Sequence, residues 1–201
     1  MPIYPNSELF SKTHQNILLV SEKINKREDA LKEIDRLVKK SENSEKNKNF
    51  YEAISNLKKI IFLEKKFLGT NHPDLADTYT WIANIYNYEN KFEKAKIFYT
   101  NALKIAEENN DPEISIVLNN LALNYQDQGK YDKAEPLFIR ALNIDEENND
   151  PEISLVINNL ALNYQEQGKY DKAEPLFIRA LKINEKLFGL NHPKTSLVLH
   201  N

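Results

Sequence analysis

The chain has 201 residues, 41% of them hydrophobic, enough apolar material for one elongated domain or two small ones and too much for a disordered chain. Its formal net charge of -3 balances the many lysines, so the clustered positive footprint rewarded by nucleic acid or an anionic membrane is not expected. Cysteine is absent, which removes disulfides, thiolate zinc sites and thiol nucleophiles together.

The first residues, MPIYPNSELFSKTH, do not have the charged and then apolar character of a secretory leader, and no apolar run approaches the roughly 18 residues that span a bilayer. A cytoplasmic protein without cofactor, metal, nucleic-acid or membrane partner is the expectation. Residues 7–24, with Leu9, Phe10, Ile17, Leu18 and Ile24, predict one amphipathic helix. About 27–42, with Leu31, Ile34, Leu37 and Val38, predict a second. Phe50, Ala53, Leu57, Ile60 and Ile61 predict the next, ending at Phe67-Leu68-Gly69.

From Pro73 onward a period governs the chain. Pro73, Pro112 and Pro151 are spaced by 39 and 39, and Pro193 follows after 42. Segment 112–144 matches 151–183 except at Ile116/Leu155, Leu118/Ile157, Asp127/Glu166 and Asn143/Lys182. Each unit predicts two helices. In the second unit Asp111-Pro112-Glu113 starts a helix with an apolar stripe at Leu118, Leu121, Ala122 and Tyr125. Gln128-Gly129-Lys130 makes the turn. Tyr131, Ala134, Leu137, Phe138, Ala141, Leu142 and Ile144 mark the next helix, with Pro136 expected in its first turn. Ala122, Ala134, Ala141 and their copies let helices approach closely, and one hairpin leaves a face that only its neighbour can bury.

The order Leu118, Leu121-Ala122, Tyr125, Gly129, Tyr131, Ala134, Phe138, Ala141 resembles the tetratricopeptide repeat. The longer period, the phrase NNLALNYQDQGKYDKAEPLFIRAL and the closing LGTNHP and LGLNHP resemble the kinesin light chain-like variant, over about residues 48–201. The resemblance implies an all-α, right-handed superhelical solenoid of helix-turn-helix repeats. Its expected organisation is an N-terminal helical segment with a degenerate capping helix in 1–47, the second helix of that degenerate repeat in 48–72, and repeats at 73–111, 112–150 and 151–192. Residues 193–201 start an incomplete repeat and leave an apolar face open. That end suggests a fragment of a longer protein, or a chain that completes itself against a partner.

Catalysis finds no foothold in the pattern. His14, His72, His192 and His200 are scattered, two of them in Asn-His-Pro corners where capping explains them, and no phosphate-binding glycine loop is present. A non-enzymatic scaffold for protein partners is expected. Alternatives are a regulatory or sensor segment of a larger signalling protein, and self-assembly through the open C-terminal face.

The resemblance further implies that positions 2, 5, 6, 9, 12 and 13 of each first helix line a concave groove. In this chain they are Asp77, Thr80, Trp81, Asn84, Asn87 and Tyr88, then Ile116, Asn119, Asn120, Leu123, Gln126 and Asp127, then Leu155, Asn158, Asn159, Leu162, Gln165 and Glu166. Asn119 and Asn158 are mediocre helix formers at mid-helix, so their amides are candidates to grip an extended backbone. The alternative is that these amides bond neighbouring helices or meet water. Trp81 is either a binding anchor or packing for the N-terminal helices. With acids and no cations at the groove positions, the expected ligand is a neutral or basic peptide with apolar anchors.

Overall fold

The computed structural model describes residues 7–151, 153–189, 192, 193, 195 and 198. Among them are eight helices and no strand: α1 (Ser7–Lys46), α2 (Phe50–Phe67), α3 (Asp74–Tyr88), α4 (Phe92–Asn109), α5 (Ile114–Gln126), α6 (Tyr131–Asn148), α7 (Ile153–Glu166) and α8 (Tyr170–Phe188). None of them is long and apolar enough to cross a membrane. The chain divides into two compact units, Met1–Thr70 and Asn71–Asn201.

In the first unit α1 and α2 form a hairpin closed by Ala30, Leu37, Ala53, Leu57 and Ile60. One helix of 40 residues replaces the two expected over 7–24 and 27–42. The intervening Asn25-Lys26-Arg27 contains neither proline nor glycine, and the Lys26 ammonium reaches Glu22 one turn back at 2.7 Å, so nothing interrupts the backbone ladder. The apolar side chains named for residues 9–18 lie outside the described residues.

In the second unit each helix packs most closely on its hairpin partner (α3 on α4, α5 on α6, α7 on α8). The second helix of one hairpin then packs on the first helix of the next. Small residues permit this: Ala83, Ala95, Ala102, Ala122, Ala134, Ala141, Ala161 and Ala180 are all fully buried. Tyr86, Tyr125 and Tyr164 each carry a lysine ammonium over the ring face, Lys94 at 5.7 Å, Lys133 at 5.9 Å and Lys172 at 5.1 Å. The turns require the left-handed backbone. Asn90 (φ 57°), Gly129 (φ 69°) and Gly168 (φ 72°) occupy the same place in successive hairpins, so asparagine does in the first what glycine does in the others.

Pro136 is the sixth residue of α6, beyond the first turn expected for it. Its missing N–H frees the carbonyl of Asp132, but both residues are exposed and water can satisfy that oxygen. Asp111 does cap locally, its Oδ1 accepting the Glu113 N–H at 2.9 Å. Of the corner histidines, His72 Nδ1 accepts the Asp74 N–H at 3.4 Å, and His192 stacks on Phe188 with ring centres 4.7 Å apart. Of the helix expected over 193–201, positions 193, 195 and 198 are helical; Val198 is buried and Thr195 Oγ1 donates to the Gly189 carbonyl at 2.8 Å. The remainder, with Leu199, His200 and Asn201, lies outside the described residues.

Candidate functional site

The predicted groove positions come from α3, α5 and α7, and they separate into three groups by exposure. Asp77, Asn84, Tyr88, Ile116, Asp127, Leu155 and Glu166 are exposed. Thr80, Trp81, Asn87, Asn120, Leu123, Gln126, Leu162 and Gln165 are half-buried. Asn119, Asn158 and Asn159 are buried.

The buried group departs from the expected amide ladder. Asn119 is 5% exposed and Asn158 3%. Asn119 Oδ1 accepts from Asn159 Nδ2 at 2.9 Å, across from α5 to α7, so this amide joins two first helices instead of facing solvent. The neighbour-bonding alternative describes Asn119, and the packing return that offsets its poor helix propensity is this bond. Asn87 behaves likewise. Its Oδ1 accepts from Asn124 Nδ2 at 2.6 Å and its Nδ2 donates to Asp127 Oδ2 at 2.8 Å. Asn84 Oδ1 accepts the Tyr99 hydroxyl at 2.6 Å, while burial, with some help from Asp127, pushes that phenol well above its ordinary range. Thr80 Oγ1 and Gln126 Oε1 are buried without a hydrogen-bond partner.

Sequence reasoning passed over Asn124 and Asn163, both wholly buried and each donating to a backbone carbonyl of the preceding second helix, Phe92 at 3.2 Å and Tyr131 at 3.4 Å. A signal was available: both stand on the apolar side of the helix, where α3 has Ile85.

Among the exposed positions, the second of each set forms a column from one first helix to the next: Asp77, then Ile116 at 51% exposure, then Leu155 at 47%. The Asp77 carboxyl is pushed above the usual range by partial burial first and then by Glu113, Asp111 and Asp74. The surface there combines a cluster of carboxylates with two large apolar side chains. No group of acids and histidines among the described residues could hold a metal ion.

A buried carboxylate stands away from this column. Asp145 on α6 is 3% exposed; burial raises its pKa, a hydrogen bond from Ser115 opposes the shift, and Asp150 adds to it. An acid with a raised native-state pKa favours folding while protonated. Stability is lost as pH climbs from the unfolded carboxylate value, about 3.9, through the raised one. The next second helix, α8, carries Asn184 at this position, also 3% exposed. Asp145→Asn is therefore expected to raise Tm at pH 7 and to leave it unchanged below about pH 3.5, measured by circular dichroism melts at both values.

A family model described as tetratricopeptide repeat matches residues 117–147 and 155–194, and another of the same description matches 76–109, together over half of the chain. The chain belongs to the tetratricopeptide repeat family. Among solved structures it is similar to BtubC (BKLC) from P. vanneervenii, at 24% identity over 90% of this chain and 80% of that one, with a TM-score of 0.73. It is also similar to a putative kinesin light chain of nearly identical TPR-like repeats from Podosopora anserina, at 20% identity over 83% and 82%, TM-score 0.69. Aspartyl phosphate phosphatase F from Bacillus subtilis matches at 21% identity over 83% of this chain and 43% of that one, TM-score 0.75. A search of curated proteins returned no match. Repeat arrays of this family are protein-interaction scaffolds, and that class is where the fold places the chain.

Proposed function

We propose that the chain is a non-enzymatic scaffold that holds an extended segment of a partner protein along α3, α5 and α7, and that this segment is neutral or basic with apolar anchors. The observation that carries this is the column Asp77, Ile116, Leu155. Exposed large apolar side chains recur at one position of successive units, beside carboxylates that repel one another and would gain from a ligand cation. A preformed face of this kind leaves little ordering cost on the scaffold side. Because Asn119 and Asn158 are buried, an Asn119→Ala, Asn158→Ala pair would test stability as much as binding, and Ile116 and Leu155 make the cleaner test.

The experiment is a titration of extended peptides of defined composition, basic-apolar, neutral-apolar and acidic-apolar, against the intact chain and an Ile116→Ser, Leu155→Ser double variant. Basic-apolar peptides are expected to bind best, with affinity falling as salt rises. The double variant is expected to lose about tenfold or more while melting at the same temperature. Preference for the acidic peptide, or binding indifferent to the double substitution, would overturn the proposal.

A further inference from the structure

The unit from Asn71 to Asn201 segregates its charge. α3, α5 and α7 carry no lysine, arginine or histidine, while Asp74, Asp77 and Glu166 lie on them and Glu113 and Asp127 at the two ends of α5. The lysines and arginines of this unit stand, among the described residues, on α4, α6 and α8 and at the turn positions just before them. Along the column Asp77, Ile116, Leu155 the charge is at one end. Asp77 stands near Asp74, Asp111 and Glu113, and the next two positions are apolar. The face therefore has a direction, anionic on α3 and apolar on α5 and α7.

The spacing of the column follows from how the first helices touch. Asn124 of α5 reaches Asn87 of α3, 37 residues back, at 2.6 Å, and Asn159 of α7 reaches Asn119 of α5, 40 residues back, at 2.9 Å. These separations lie on either side of the 39-residue period, so equivalent positions of neighbouring first helices stand nearly opposite one another. They are then about one helix spacing apart, roughly 8–10 Å. A strand offers side chains on one face about 6.7 Å apart at every second residue, or about 13 Å at every fourth, and matches neither. A polyproline II segment offers them at every third residue, about 9.3 Å apart.

The amides point the same way. A strand-like ligand needs partners for its backbone N–H and C=O groups, and Asn87, Asn119, Asn124 and Asn159 are engaged with one another across the hairpins. A polyproline II backbone keeps its polar groups in water and asks for no such partners.

We infer that the partner segment crosses α3, α5 and α7 as a polyproline II helix, with a basic side chain at one end over Asp77 and apolar side chains at the next two third residues over Ile116 and Leu155. This rests on the peptide-binding reading above and adds to it the conformation and spacing of the segment and the residue, Asp77, that decides which end is basic. A carboxylate among other carboxylates gains most from a cation placed beside it, whereas the same cation over Ile116 would lose water and gain no partner.

The test is isothermal titration of peptides that share one composition of lysine, leucine and proline. Lys-Pro-Pro-Leu-Pro-Pro-Leu and its reverse place lysine at an end, Leu-Pro-Pro-Lys-Pro-Pro-Leu places it in the middle, and Lys-Pro-Leu-Pro-Leu-Pro-Pro breaks the period. One of the two end-lysine peptides is expected to bind about tenfold tighter than the middle-lysine and broken-period peptides, and its order gives the direction of the chain. Asp77→Lys, at an exposed position and checked for folding by circular dichroism, is expected to shift preference about tenfold toward the same peptide with glutamate in place of lysine. Equal binding of all four peptides, lost in the Ile116→Ser, Leu155→Ser variant, would keep the groove as the binding face and overturn this inference alone. So would tighter binding of the broken-period peptide, or an unchanged charge preference in Asp77→Lys. Binding by none of the peptides would overturn both.

Discussion

Phe138→Ala is expected to cost about 3–5 kcal/mol, lowering Tm by about 10 °C, whereas Phe177→Ala is expected to cost clearly less. The two phenylalanines lie in the same phrase, AEPLFIRAL, so local propensity and rotamer preference are equal. Their neighbours differ. Phe138 is 0% exposed among Leu118, Ala122, Ala134, Ala141 and Ile157, with units stacked on both sides, while Phe177 is half-buried. Removing the first leaves a cavity that helices on two sides cannot collapse. Removing the second opens a space that water already borders. Equal losses in urea melts would mean that stability resides within each hairpin, against the nearest-neighbour account of a repeat array.

Asn124→Ala is expected to cost about 2–4 kcal/mol, and Asn124→Ile to recover only part of it. The Asn124 amide donates to Asn87 Oδ1 and to the Phe92 carbonyl, while its own oxygen accepts from Gln128 Nε2 at 3.0 Å, all without exposure to solvent. Truncation leaves the Phe92 carbonyl without this donor and opens a void as well. Isoleucine fills the void, as Ile85 does on α3 at 1% exposure, but supplies no donor. An isoleucine variant as stable as the original in denaturant melts would show that the amide network adds nothing to the stacking of α5 on the preceding hairpin.

Much of the fold was legible because the period makes every letter a repeated measurement. Leu121, Ala122, Gly129, Ala134 and Phe138 each announce a packing or turn requirement, and the structure buries or bends the chain at all of them. Reading was weaker where the period fails. The apolar residues of 7–24 and of 27–42 predict two helices, yet helix continuity depends on the absence of a breaker and on pairs such as Glu22 with Lys26. Pro136 is expected in a first turn but is the sixth residue of α6, and so small a shift decides whether a proline lies inside the hydrogen-bonded ladder.

The candidate site was legible as a set of positions and not as a surface. Sequence alone determined which residues share an angular face of each first helix, since 3.6 residues per turn fixes that face without reference to anything else. The resemblance to the tetratricopeptide repeat implies in addition that Asp77, Ile116 and Leu155 hold one groove position in successive first helices. Only the tertiary structure decided which members of a face meet water. Asn119 touches Asn159, 40 residues on, and Arg140 touches Glu107, 33 residues back, so neighbouring hairpins meet along diagonals that the 39-residue period does not contain. Those diagonals arise from how one hairpin is offset on the next, a property of packed alanines and aromatic rings. For this reason the asparagines became internal joints while Ile116 and Leu155 stayed exposed.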